Sequence, residues 1–237
     1  MEAAELPSKV LWAWERAEDL SKIDRTEFGV AFLSCHVFVK GDKVISHWRN
    51  QPMRVPDETI VEPTIRIDID RSEKATLSEA QIDQIVRVVV RAAKARNTAQ
   101  VQIDFDALQN ERNFYCRLLE KLRQELPDSI PISITALASW CLYDNWIKNL
   151  PVAETVPMMF SLGRDRQKVL MHFRKGGDFL DARCKRSLGL SLEDTETNEL
   201  MIPMLKKRKI PARVYVFTRT AWTDKKILEV HSLLGKQ

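Results

Sequence analysis

Apolar and polar positions alternate along residues 64–70. Ile65, Ile67 and Ile69 fall on one face of an extended chain, and Arg66, Asp68 and Asp70 on the other. The same two-residue period returns at 99–106, where Val101, Ile103 and Phe105 oppose Gln102, Asp104 and Asp106. A helical period follows each of these stretches. Ile82, Ile85, Val86, Val89 and Val90 make one stripe behind a capping box at Thr76 and Glu79; Phe114, Leu118, Leu119 and Leu122 make another, which stops before Pro127. Further strands are predicted at 10–15, 29–40, 131–137, 154–160, 185–191 and 212–218. Short helices are expected near 18–23 and 143–148, and longer ones near 166–174, at 195–206 around Pro203, and from a Thr223 cap through Leu234. Gly41-Asp42 is a turn signal, so 44–48 reads as a hairpin strand extending the second unit; 49–63, with three prolines, reads as a connection.

Eight strand-like segments with helices after most of them argue for parallel strands, and eight is the number that closes a barrel. The expected fold is an α/β class (β/α)8 TIM-like barrel, one domain over 1–237, irregular through the β-hairpin after strand 2. A doubly wound open sheet is the alternative. The first turn lacks the glycine pattern of a dinucleotide site, and no phosphate-binding Gly-x-x-x-x-Gly-Lys loop occurs.

In a barrel the apolar parity belongs under the helices, which sends Ile65, Ile67, Val101, Ile103, Ile132, Ile134, Val214 and Val216 outward. Arg66, Asp68, Gln102, Asp104, Ser133, Thr135 and Tyr215 then point inward, into an unusually polar lumen. Catalytic groups in this fold stand at the carboxyl ends of strands. Those ends carry Glu15, Asp70, Asp106, Ser139, Trp140, Glu193 and Arg219.

Paired carboxylates can act as acid and base, or acid and nucleophile, on a glycosidic bond. Asp106 and Asp104 are therefore the candidate catalytic residues. Trp14, Glu15, Arg66, Asp68, Thr135, Trp140 and Tyr215 are the candidate substrate-binding residues, with Trp12 a further ring for stacking on a sugar. Each has a plainer reading. Asp104 can be a structural partner of Arg66, Asp106 a helix cap, the tryptophans core, Thr135 and Ser133 hydrogen-bonding filler, and Glu111 a first-turn residue favoured by the helix dipole.

The net charge of +4 is modest, and its one cluster, Lys206 to Lys209, lacks the aromatic and basic-groove company of a nucleic-acid surface. The partners expected are a carbohydrate or a protein, with no nucleic acid and no membrane span; the oligomeric state stays open. His36, His47, His172 and His231 show no paired spacing, and the four cysteines are far apart, so no metal, no cofactor and no Ser-His-Asp chemistry is expected. The start has no apolar signal segment. As written the chain reads as cytoplasmic, or as exported if a leader was trimmed.

The segments 102–107, 111–115, 134–141 (with Ser139-Trp140-Cys141) and 156–160, together with the Val10-Leu-Trp-Ala-Trp-Glu15 start, resemble the bacterial family catalogued as domain of unknown function 3142. A more distant resemblance is to glycoside-hydrolase barrels of the chitinase type, whose motif ends Asp-x-Asp-x-Glu. Asp104 and Asp106 match its aspartates, whereas Leu108 stands where the proton-donating glutamate belongs. The resemblance implies a carbohydrate-active barrel, with another acid needed for cleavage.

Overall fold

The computed structural model describes residues 5–208 and 212–235. In chain order its elements are β1 (Lys9–Ala13), β2 (Glu18–Asp19), β3 (Phe28–Lys40), β4 (Lys43–Trp48), β5 (Met53–Arg54), β6 (Val61–Ile69), α1 (Glu79–Ala92), β7 (Val101–Asp104), α2 (Arg112–Glu125), β8 (Ile132–Leu137), α3 (Ala138–Tyr143), β9 (Glu154–Met158), α4 (Arg166–Arg174), β10 (Ser187–Ser191), α5 (Thr195–Lys207), β11 (Arg213–Phe217) and α6 (Asp224–Leu234).

Eight of the strands form a closed parallel ring. The order β1-β11-β10-β9-β8-β7-β6-β3 is completed by pairing of β3 with β1. The structure is thus the TIM-like α/β barrel that the strand count predicts. β3 is long enough to serve two neighbours along one edge. Phe28 to Phe32 pair with β1; beyond a register shift between Leu33 and Cys35, the rest pairs antiparallel with β4. The hairpin therefore stands above the ring, next to the end of β1.

The strand parity separates two bodies of apolar side chains. Ile65, Ile67, Val101, Ile103, Ile132, Ile134, Val214 and Val216 lie in the core between ring and helices, with Ile82, Ile85, Leu118 and Leu122 from the helical stripes. A smaller cluster of Val10, Trp12, Ala31, Ala99, Val156 and Tyr215 fills the lumen.

Several local expectations are corrected. Residues 18–23 form no helix. Glu18 and Asp19 make a two-residue strand with Met53 and Arg54, and the Glu18 carboxylate accepts the Trp222 amide at 2.8 Å; six residues give too few internal hydrogen bonds to hold a helix against such partners. The capping box of α1 is Ser78 with Gln81 rather than Thr76 with Glu79, because Leu77 turns the chain with φ of +51° and delays the helix. The helix after β8 starts at once, at Ala138, and ends at Tyr143 where 143–148 was expected to begin it. β6 starts at Val61, inside the expected connection. Lys206 and Lys207 close α5, Arg208 binds Asp178, and Lys209 lies outside the described residues.

Candidate active site

Inward side chains stack in layers along the lumen, as the barrel geometry requires. At the base, Gln100 Nε2 donates to Glu62 at 2.7 Å and to Glu154 at 2.6 Å; Tyr215 donates to Glu154 at 2.7 Å, and Ser187 and Arg213 also bind Glu154. In the middle, Trp12 Nε1 donates to Gln102 Oε1 at 2.9 Å across the ring, and Gln102 meets Thr64 and Ser133 on its two neighbouring strands. Gly189 leaves room for the Trp12 ring. A Cβ there would stand 2.8 Å from Trp12 Cη2.

The top layer is built on Arg66. Its Nη1 donates to Asp104 at 2.9 Å, and its Nη2 lies 3.1 Å from both Asp68 and Asp106. Thr135 donates to the second oxygen of Asp104 at 2.6 Å. His36 lies between two more carboxylates, with Nε2 2.7 Å from Asp68 and Nδ1 3.0 Å from Glu15. Asp106 is two residues past the end of β7 and caps no helix, because Leu108 precedes the next helical turn. Glu111 reaches back to the Leu108 amide at 2.8 Å and is buried against Arg71, so it does not replace the missing glutamate.

These contacts set the charges. Burial works against the Arg66 cation, but the Asp104 and Asp106 charges outweigh it and raise its pKa. Burial also raises the Asp106 carboxyl, reinforced by Asp104, with Arg66 pulling the other way. Asp68 is lowered: burial opposes this, and hydrogen bonds from His36 and Arg66 overcome it. The Asp104 side chain is 4% exposed and that of Asp106 38%, so Asp106 is the carboxylate that faces open space.

Two cavities border this layer. A central one of about 190 Å³ is lined by Trp12, Trp14, Arg66, Asp104, Thr135, Phe160 and Phe217. Beside it, one of about 310 Å³ runs from Arg66 and Asp106 to the ends of β8 and β9. Phe160 and Phe217 stack at 5.3 Å and form the apolar wall of the centre. Ser161, which lines both cavities, is held at φ of +53°, a conformation costly for a residue with a Cβ. A larger cavity, about 520 Å³, opens at the opposite end, among Gln100, Glu154, Ser187 and Arg213.

The structure thus brings Trp14, Arg66, Asp104, Asp106 and Thr135 to one place, with Asp68 and Glu15 on its rim. Two of the residues named from sequence stand elsewhere. Trp140 is buried outside the ring against Trp146, because α3 begins directly at the strand end and turns it into the helix layer. Tyr215 is fully buried near the base. Asp70 binds Lys40 and the Ser72 amide, and Glu193 accepts from Ser191, Thr218 and the Arg219 amide. Sequence reasoning missed His36, Phe160 and Phe217; the last is found by extending the Tyr215 parity by two residues.

Among the described residues no group of three or more His, Cys, Asp or Glu side chains is placed to hold a metal, and no helix is long and apolar enough to cross a membrane.

No family model matches the chain, and no curated protein matches it. Its fold is similar to that of a solved structure, the spore cortex-lytic enzyme SleL of Bacillus cereus. The two share 14% identity over 77% of this chain and 50% of that one, with a TM-score of 0.47. The chain spans about half the length of that protein, and the likeness is one of fold alone.

Proposed function

We propose that the carboxyl-end mouth of the barrel binds a carbohydrate and presents Asp106 and Asp104 to it as a glycoside-hydrolase-like pair. The supporting observation is their meeting on one guanidinium, that of Arg66, at the floor of an aromatic-walled cavity. Asp106, the more exposed of the two, would hand a proton to the leaving glycosidic oxygen. Asp104, fixed by Arg66 and Thr135, would stabilise the positive charge that develops on the ring carbon. Water would then add at that carbon and return a proton to Asp106. Trp14, Phe160 and Phe217 would face the sugar ring, and Glu15 and Asp68 its hydroxyls.

A second reading is favoured by Leu108. With no glutamate at that position, and with Arg66 gripping both aspartates, the barrel would bind a glycan, or a protein partner, without cleaving it.

Thermal-shift screening against a glycan panel, for wild type and Asp106→Asn, tests the first reading. A ligand of the native state raises the melting temperature. The enzyme reading expects a sugar that shifts the wild type and is hydrolysed by it, with product formation abolished in Asp106→Asn. A sugar bound but never cleaved selects the binding barrel. The absence of any sugar shift in the folded protein overturns the carbohydrate reading.

A further inference from the structure

In a ring of eight strands, strands four apart face each other across the axis. The cavity beside Asp106 is walled by the ends of β8 and β9, the fifth and sixth strands of the ring. A further cavity, of about 440 Å³, lies at the foot of the hairpin. It is lined by Glu15, just after the first ring strand, by His36 and Phe38 of the second, β3, and by His47 and Trp48 of β4. First and second strands stand opposite fifth and sixth, so these two cavities lie on opposite sides of the mouth, with the aromatic-walled centre between them.

The three are linked by shared residues. Arg66 lines the Asp106 cavity and the centre; through Asp68 it is hydrogen-bonded to His36, which lines the hairpin cavity. Consecutive residues Trp14 and Glu15 face the centre and the hairpin cavity respectively. Arg49 locks the hairpin to this wall. Its guanidinium donates to the Trp14 carbonyl and, at 2.5 Å, to the Arg16 carbonyl.

The hairpin cavity has the surface that a sugar ring needs. The His36 ring stacks on Phe38 with centroids 4.1 Å apart, and His47 meets Phe38 edge-on at 5.4 Å. The three rings form an aromatic cluster on the wall of the cavity. Asn50, Gln51 and Glu15 supply amide and carboxylate groups around it. A pyranose presents apolar C–H faces and a rim of hydroxyls, which such a mixed surface matches.

We propose that the mouth takes a chain-like glycan rather than a single sugar. The chain would run from the β8–β9 side, over Asp106 and the centre, to an outer subsite at the His36–Phe38–His47 cluster. This rests on the carbohydrate reading of the mouth. It adds that the hairpin is part of the binding surface and that the substrate is an oligomer or polymer entered along its length.

The test is isothermal titration of the Asp106→Asn protein with β-1,4-linked glucose, mannose and N-acetylglucosamine oligomers of one to six rings. The Phe38→Ala and His47→Ala changes are then added separately. His47 is exposed, so its removal leaves the packing intact if Phe38→Ala disturbs it. In one of the series, affinity is expected to rise by about tenfold or more between two and five rings, and each hairpin change to remove most of that rise. Binding that stays flat with length, or a rise that survives both hairpin changes, overturns the extended-chain proposal and leaves the carbohydrate reading standing. Failure of every oligomer to bind overturns both.

Discussion

At the base of the lumen, Glu62 and Glu154 converge on Gln100 beside Arg213; at the mouth, Asp104 and Asp106 converge on Arg66. The ingredients match, but the outcomes differ. Glu154 has Gln100, Ser187, Tyr215 and Arg213 on its oxygens, and these hold its pKa low against its burial. Glu62 is fully buried; Gln100 donates to one oxygen, and among the described residues the other has no hydrogen-bond partner. Burial and the Glu154 charge push its pKa up to about 8. The base thus balances its charge by keeping a proton. At the mouth three carboxylates crowd one arginine, and Asp106 is left facing space. One end of the barrel is electrostatically closed; the other has carboxylate capacity to offer a ligand.

The sharpest way to break this comparison is at the base. Native Glu62 keeps its proton up to about pH 8, whereas the unfolded carboxyl releases it near its ordinary value of 4.5. The native state binds more protons through that window, so stability falls as pH rises across it. Glu62→Gln, neutral throughout, should flatten the dependence and stabilise the protein at pH 8 by up to ~4 kcal/mol. Denaturant unfolding at pH 5, 6.5 and 8 measures it; parallel curves for the two proteins would mean that the base holds no such proton.

At the mouth the corresponding change is smaller. Removing one partner of a fully buried pair costs about 3–5 kcal/mol. Arg66 keeps Asp68 and Asp106 when Asp104 is lost, so Asp104→Ala should cost about 2 kcal/mol, the range of lost hydrogen bonds to charged groups. A midpoint unchanged in urea would show that Arg66 and Thr135 gain nothing from Asp104.

Gly189 sits between the two ends, under the Trp12 ring. Gly189→Ala forces the ring or its strand to shift and should cost about 1–2 kcal/mol by overpacking, read as a lower melting temperature. A neutral result would show that Trp12 moves freely in the lumen.

The period-2 pattern made the ring and the polarity of its lumen legible, because a strand side chain can point only in or out. It sends Arg66, Asp104 and Thr135 into the lumen, and the strand register brings them into one layer. It failed where a residue leaves the strand. Trp140 follows the end of β8, so strand parity no longer governs it and helix packing does. The base pair of acids was hidden because Pro63 made 49–63 read as a connection, whereas β6 already runs through Glu62. The His36 bridge depends on β3 and β6 being neighbours, with His36 in register with Arg66, two residues before Asp68. Pairing of that kind is a property of the closed ring and of no single segment.

The long β3 strand divides its labour at the register shift beside Ser34. The five residues from Phe28 to Phe32 close the ring against β1, and those from Cys35 onward carry the hairpin. Ring closure therefore makes no use of β4. The hairpin is anchored elsewhere: the Gly41 carbonyl at its tip accepts from the Thr76 amide at 2.8 Å and from Gln81 Nε2 at 2.9 Å, at the start of α1. A barrel built this way carries a wall beside its mouth that closes no part of the ring and leans on the first helix instead.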